Sequence, residues 1–541
     1  MSGKKGLLQL LKGLTVMSKI KLATLICFVL SMLAAGCGKD IKPIERKISS
    51  SVIDSAGNRE SSANSVSYDE KPVEFANIKY TKFDKTIEAE SGSVFGKTTV
   101  SDKRQGFKGK GYVSVVKGEQ NKWELEFEAP ESQFYNIILT VASDEVQNNT
   151  LTVNGESIGI VTTVKSNGFE TLSLNEIFLS KGKNTISLLT DGVTDVDCIR
   201  FLAVENKNKT AVTAQSSVLS NKNADENAKN LHNYLVKNYG KKIILGQYDT
   251  PGSTIETDRI HSITGKYPAI RFSDLMPVLN ENTIAHEREL DIAKRWSNNG
   301  GLVGYMWHWT DPMGSGECYA EKTNFDLSKA VTKENVAVMT DEQLQKLHEQ
   351  GKISDECMAI IKDIDAVSVK LKVLESVNVA VLWRPLHDAS NGYFWWGRDK
   401  ASYKWLWNLM YERMTEYHEL NNLVWVWNAQ NADWYVGDDK CDIISADIYD
   451  DGNTSGHINN FLYLNKISNK KLLAISECGT MPMINRLAQE NAAWSYIGQW
   501  GGDYLLDSDS SLVQKYNSSD NLIEIYNNTL TITRDKIKSA L

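Results

Sequence analysis

The sequence predicts a parallel (β/α)8 barrel, α/β in class, preceded by an all-β sandwich of jelly-roll type. Eight apolar runs recur between residues 243 and 504, most of them near-continuous, as strands buried on both faces are. Polar, helix-prone stretches separate them, among them Glu226 to Tyr239 and His286 to Ser297, with apolar residues at helical spacing. Between residues 80 and 205 the pattern changes to short alternating stretches punctuated by Gly, Asn and Ser, which argues for antiparallel strands.

From the N-terminus, Leu22 to Ala35 is an apolar run of fourteen residues preceded by Lys19 and Lys21. It is short for a membrane span and fits a signal-peptide core over residues 1–36. The run ends in Leu33-Ala34-Ala35-Gly36-Cys37, which resembles a bacterial lipoprotein signal. The resemblance implies acylation of Cys37 and an extracytoplasmic protein held on the cell membrane by a lipid anchor. Residues 37–78, rich in Ser, Lys, Asp and Asn, read as a flexible polar spacer. Residues 79–205 form the expected sandwich, with Trp123-Glu124-Leu125-Glu126-Phe127 and Tyr135-Asn136-Ile137-Ile138-Leu139 as its clearest strands. A module of that size can bury its own core. A linker, 206–223, leads to the barrel at 224–541, a little over the roughly 250 residues typical of such barrels.

The barrel strands are expected at Ile243 to Asp249, Tyr267 to Leu275, Gly301 to Trp309, Val379 to Asp388, Leu423 to Asn431, Asp442 to Asp450, Lys471 to Gly479 and Tyr496 to Tyr504. Strands alternating with helices make a parallel sheet, and eight of them make a TIM barrel. The longest interruption runs from Gly314 to about Ser368, and a loop there could close the end of a cleft.

Composition removes some classes of function. A net charge of −8 argues against nucleic acid, since phosphate binding needs a positive surface. An acidic chain suits a neutral polysaccharide, and a monomer is expected. Beyond Cys37, Cys198, Cys318, Cys357, Cys441 and Cys478 show no metal-ligand rhythm and read as buried thiols.

Chemistry in such a barrel gathers at the C-terminal ends of the strands. Asp388 ends the fourth run and Glu477 the seventh, while Asp249, Asp274, His308, Asn428 with Gln430, and Tyr449 stand at the same end of others. Two acids at strand ends, with the aromatic segment Tyr393-Phe394-Trp395-Trp396 behind the first, suit glycosidic bond cleavage. Trp396, Trp427 and Trp500 are candidates to stack on sugar rings.

Gly246-Gln247, Tyr267-Pro268-Ala269, Trp307-His308-Trp309, the long motif Arg384-Pro385-Leu386-His387 through Gly397, and Ser476-Glu477 together resemble glycoside hydrolase family 26, best known for β-mannanases. The resemblance implies retaining hydrolysis of β-1,4-mannosidic bonds in mannan, glucomannan or galactomannan, without a cofactor. Glu477 would be the nucleophile and Asp388 the acid/base. His308, His387, Tyr393 and Tyr449 would line the subsite where the bond is cut, with Tyr449 hydrogen-bonded to the nucleophile. Two positions depart from the family. Asp388 stands where it has Glu, shorter by one methylene or roughly 1.5 Å, and Tyr393 where it usually has Trp. The short acid leaves three readings: a shifted backbone, a bridging water, or a catalytically weak glycan-binding protein. Mixed-linkage β-glucan and β-1,3-xylan stay open as substrates, as does endo against exo action. The sandwich resembles carbohydrate-binding module family 35 through Ile87-Glu88-Ala89-Glu90, Gly109-Lys110-Gly111-Tyr112 and Asp195-Val196-Asp197-Cys198-Ile199. That resemblance implies a structural calcium held by Glu88, Glu90 and Asp197.

Overall fold

The computed structural model describes residues 78–118, 120–205 and 218–537. The apolar leader, Cys37, nearly all of the spacer and most of the linker lie outside the described residues. Among those described, no helix is long and apolar enough to cross a membrane.

The sandwich is two antiparallel sheets face to face. One has the order Thr99–Ser101, Tyr112–Val116, Val193–Ala203, Gln133–Ala142 and Glu170–Leu179, with Asp84–Glu88 also paired to Val193–Ala203. The other has the order Ser93–Val94, Trp123–Ala129, Gly182–Thr190, Gln147–Val153 and Glu156–Thr163. The period-two pattern of the sequence does its expected work: Trp123, Leu125, Phe127 and Ala129 point inward while the glutamates between them stay nearer solvent. Phe127 stacks on Phe201 of the facing sheet at 3.8 Å, at the centre of this core.

The barrel strands are Ile243–Tyr248, Ile270–Asp274, Leu302–Met306, Val381–Arg384, Leu423–Trp427, Ile443–Ile448, Leu472–Cys478 and Tyr496–Gln499. Each pairs in parallel with the next, and the eighth returns to the first, which closes the barrel. A short ninth strand, Thr531–Ile532, adds to Ile243 and Ile244. The strands are shorter than the apolar runs that announced them, and the surplus at each C-terminal end is where loops begin and where polar residues cluster. Inside the barrel the Phe272 ring lies so close to Gly246 and Gly304 that any side chain there would collide with it, while one at Gly498 would strike the Ser476 carbonyl.

The interruption after Gly314 is only partly a loop. It contains the helix Asp341–Glu349, started by a capping box between Thr340 and Gln343, and then the long helix Asp355–Glu375. Arg413, fully buried, ties the insert down: it pairs with Asp365 through Nε and Nη2 at 2.7 and 2.8 Å and donates to the Met339 carbonyl at 2.6 Å.

A second buried arginine fixes the first three strands. Arg271 donates to Asp249 at 2.7 Å and to Glu289 at 2.6 and 3.0 Å, and Tyr305 donates to the same Glu289 at 2.8 Å. All three ionic side chains are essentially closed to solvent. Asp249 at the first strand end is therefore a structural residue. Removing the cation leaves two buried carboxylates without their counter-ion, so Arg271→Met should lower stability by about 3–5 kcal/mol in urea unfolding. Little or no loss would show that the carboxylates take up protons freely.

Candidate active site

The fourth strand ends at Arg384, and Pro385 forbids its continuation in the sheet. The next turns need left-handed backbone at two non-glycine residues, Leu386 (φ 50°) and Asp388 (φ 52°). Such conformations cost on the order of 1–2 kcal/mol for an L-residue and persist where surroundings enforce them. Here the Asp388 amide donates to the Asn428 carbonyl at 2.8 Å, and Asn428 Oδ1 sits 3.1 Å from the same nitrogen. The loop is thereby pinned to the end of the fifth strand.

Arg384 organises the floor. Its guanidinium is almost completely buried and reaches Asp447 from Nη1 at 2.8 and 3.1 Å, the Tyr248 hydroxyl from Nη2 at 3.0 Å, and Glu477 Oε1. The other oxygen of Glu477 accepts from the Tyr449 hydroxyl at 2.6 Å. Burial and the neighbouring Glu477 charge hold the Tyr449 phenol well above its ordinary range, so it remains a donor. Glu477 is thus a buried carboxylate with a cation on one oxygen and a hydroxyl on the other.

Asp388 is treated differently. Gln430 Nε2 donates to its Oδ1 at 2.7 Å, and the Asn391 amide donates to the same oxygen. Burial, then the charge of Glu477, push its carboxyl up to about 7, against the pull of Arg384 and the two amides. With Oδ1 engaged as an acceptor, a proton on this acid sits on Oδ2. The two carboxyls thus have different surroundings: Glu477 meets a cation and a hydroxyl, while Asp388 is able to keep a proton near neutrality. Gln430 also links them: its Oε1 accepts from the Asp447 amide at 3.0 Å, and Asp447 is the second partner of Arg384.

The remaining wall is aromatic. His308 donates its amide to Asp274 Oδ1, and its Nδ1 lies 3.1 Å from Asp274 Oδ2, which turns Nε2 the other way. His387 meets His308 edge to face at 4.7 Å; burial, with Arg384 and His308 beside it, keeps its imidazole neutral. Phe394 packs on His387, His308 and Tyr319, and Tyr393 next to it is 54 % exposed. Trp500 is partly exposed and contacts Tyr248 at 4.8 Å. Trp396 and Trp427 correct the expectation from sequence: both are 0 % exposed and offer no face to a ligand. Trp396 instead stacks on Phe394 at 4.4 Å and donates its indole N–H to the His387 carbonyl at 2.9 Å, holding the wall from behind. Trp427 packs against Tyr435 at 5.1 Å in the core. In the sequence Arg384 and Asn391 stand only as members of a motif, and nothing there singles out Asp447 or Tyr248. An arginine inside an apolar strand was the available signal, since a buried guanidinium requires buried carboxylates.

Among the described residues the five cysteines are buried and unpaired, including Cys478 beside Glu477, whose thiol burial pushes far up. In the sandwich, Glu88, Asp197 and Cys198 converge, and Glu88 Oε2, Glu90 Oε2 and Asp197 Oδ2 are enclosed without a hydrogen-bond partner. The Lys108 amide donates to Asp197 at 2.7 Å and the Lys110 amide to Glu90 at 3.1 Å, which folds the Gly109 turn over the cluster. Burial, then Asp197 and Glu90, raise the Glu88 carboxyl above its usual range.

Comparison with known proteins agrees with this geometry. Residues 220–536 match the sequence model of glycosyl hydrolase family 26, and residues 85–204 that of carbohydrate binding module (family 35). A mannan endo-1,4-beta-mannosidase of Thermothelomyces thermophilus is 31 % identical over 84 % of this chain and 90 % of its own length. Mannan endo-1,4-beta-mannosidase B of a Piromyces species is 32 % identical over 84 % of this chain and 77 % of its own. Among solved structures, a Podospora anserina GH26-CBM35 beta-(1,4)-mannanase superposes with a TM-score of 0.54 at 30 % identity, covering 84 % of this chain and 98 % of that one. A ruminal GH26 endo-beta-1,4-mannanase gives 0.57 at 26 % identity, covering 85 % and 99 %. With an eight-stranded barrel, two acids at the ends of its fourth and seventh strands, and a family match across the whole of that domain, this chain belongs to glycosyl hydrolase family 26.

Proposed function

We propose that the protein is a retaining endo-β-1,4-mannanase acting on mannan, glucomannan or galactomannan. The observation that carries the reading is the opposed pair of environments at Glu477 and Asp388, with the mannanase relatives naming the substrate class. Glu477, paired with Arg384 and aimed by Tyr449, attacks the anomeric carbon while the glycosidic C–O bond breaks. Asp388 delivers its proton to the leaving oxygen, and a covalent glycosyl-enzyme forms. Asp388, now a carboxylate, takes a proton from an incoming water, whose oxygen displaces Glu477 and regenerates both acids. Retaining enzymes hold such carboxyls about 5–5.5 Å apart. Tyr393, Trp500 and the His308–His387 wall receive the sugar rings. The sandwich keeps the enzyme on its polymer and raises the local concentration of cleavable chain.

Reducing-sugar release from glucomannan and galactomannan tests the reading. Glu477→Ala should abolish it, and Asp388→Asn should lower it by about 10²–10⁴-fold. Wild-type release from β-glucan or xylan alone would overturn the substrate assignment. The pH profile tests the acid. Activity should fall as pH rises through about 7, where Asp388 loses its proton. Gln430→Met removes a hydrogen bond that favours the charged form, so the basic limb of kcat/KM should move to higher pH. An unmoved limb would place the titrating group elsewhere.

The enclosed, partnerless oxygens of Glu88, Glu90 and Asp197 form the hard, anionic donor set that calcium takes. A calcium ion there would neutralise three converging carboxylates and brace the sandwich. Calcium should raise the melting temperature of the wild type, EDTA should reverse the gain, and Asp197→Ala should remove the response. A melting curve indifferent to both additions would exclude the ion. Cys37 after Leu33-Ala34-Ala35-Gly36 supports a membrane-anchored lipoprotein. Two acyl chains hold a protein on a bilayer where one does not, so Cys37→Ser should shift the protein from the membrane to the soluble fraction.

A further inference from the structure

We infer that the sandwich has a second role besides holding polymer: it clamps the barrel segment that carries Tyr449 and so positions that residue against Glu477. The inference rests on the reading of Glu477 as the reacting carboxylate. Two sandwich positions contact, and a third lies close to, one continuous stretch of barrel, residues 449–467, made of the loop after the sixth strand and the helix Ile458–Ile467. At the start of that stretch, the Asn154-Gly155 turn lies so near that a β-carbon on Gly155 would stand 3.9 Å from Asp450 Oδ1. Past the loop, the Phe178 amide donates to Asn459 Oδ1 at 3.1 Å. Further along the helix, Lys466 approaches Glu176 at 3.8 Å.

The sandwich side of each contact is rigid. Asn154 (φ 53°) and Gly155 (φ 89°) form a two-residue hairpin turn with both residues left-handed, the tight geometry that Asn-Gly favours. The turn is also tied sideways to the neighbouring strand: Asn154 exchanges backbone and side-chain hydrogen bonds with Thr185 and Asn184 at 2.7 to 3.1 Å. Glu170–Leu179 is the edge strand of its sheet, so amides on its outer side have no strand partner, and Asn459 supplies one. Register shifts between Tyr135 and Ile137, opposite Glu176 (φ 59°), and this bulge re-aims the strand just before the contact. Phe134 and Phe178, which pack edge to face at 5.6 Å, belong to the barrel's core cluster and not to the sandwich's own.

The barrel side needs the support. Among the described residues the loop is tied to the rest of the barrel by Gly452 N to Thr480 Oγ1 at 2.9 Å, Met483 N to the Thr454 carbonyl at 3.0 Å, Gly456 N to Glu490 at 2.9 Å, the Trp494 indole N–H to the Gly456 carbonyl at 2.9 Å and Lys515 to Asp451 at 3.6 Å, none of them at Asp450. Tyr449 stands at its first residue, 44 % exposed, with its hydroxyl on Glu477 and its ring tilted against Tyr504 at 5.1 Å. Both contacts are made by the side chain, so its aim still depends on where the backbone is held. Asp450, the next residue, is where the sandwich turn arrives.

The test uses the full chain with Asn459 and Lys466 both changed to Ala, which releases two contacts without entering the cleft or either core. Turnover is measured on soluble manno-oligosaccharides, where holding the polymer confers nothing. The expected result is a several-fold fall in kcat, with polymer binding and melting temperature close to wild type. In a Tyr449→Phe background the same double change should add no further loss, because both act through one hydroxyl. Hydrogen exchange of residues 449–456, read by mass spectrometry, should speed up in the double variant. Unchanged exchange and unchanged oligosaccharide turnover, or a loss fully additive with Tyr449→Phe, would overturn the clamp. A wild type without action on manno-oligosaccharides would instead overturn the mannanase reading, and the exchange measurement would still decide the clamp.

Discussion

One buried guanidinium carries the site. Arg384 lies at the end of a strand in the middle of the barrel, out of water, and meets two carboxylates and a phenol. A cation in that position is tolerable only with anions beside it, and the anions only with the cation. The arrangement therefore fixes the fourth, sixth and seventh strands relative to one another as firmly as backbone pairing does. It also gives Glu477 a permanent counter-charge. Everything distinctive about Asp388 follows from standing close to that assembly but outside it: it feels the negative charge of Glu477, is shielded from water, and receives only neutral amides.

How much of this was readable from the chain depends on what each residue type reports. The barrel strands were legible because a strand covered on both faces has to be apolar throughout, and the acids that close Val379 to Asp388 and Lys471 to Gly479 stood out against that background. The sandwich was legible from alternation, as at Trp123 to Phe127. Tryptophan was not. Trp396 and Trp427 were read as faces for sugars, yet both are enclosed, because a large ring serves a core as well as it serves a cleft and nothing local distinguishes the two. The partners of Arg384 were illegible for another reason. Asp447 and Tyr248 lie 63 and 136 residues away and meet Arg384 only once the barrel closes. The insert after Gly314 misled in the opposite direction, since its second half is an ordinary helix of the barrel whose start was masked by a long polar approach.

The two domains solve different problems with the same chemical groups. In the barrel, carboxylates are opposed by arginines: Asp249 and Glu289 by Arg271, Asp365 by Arg413, Asp447 and Glu477 by Arg384. In the sandwich, Glu88 and Asp197 converge with Cys198, and Glu88 Oε2, Glu90 Oε2 and Asp197 Oδ2 have no hydrogen-bond partner. Acids that are paired inside the chain can fold on their own. Acids that face one another lack that internal compensation, and this contrast is visible without reference to any relative.

The ring of Phe272 sets a condition on how such a barrel can change over generations. Gly246 and Gly304, on the first and third strands, leave the space that this one side chain occupies. Phe272 in turn stacks under Tyr248 at 4.9 Å, and Tyr248 supports Arg384. Interior volume at that level is a shared quantity, so no glycine of the set can acquire a side chain while the phenylalanine stays, and a smaller residue in its place opens a void beneath the site. Sequence drift there must be concerted, with substitutions arriving in compensating pairs. The three positions should therefore vary together or not at all across lineages, as a single inherited unit.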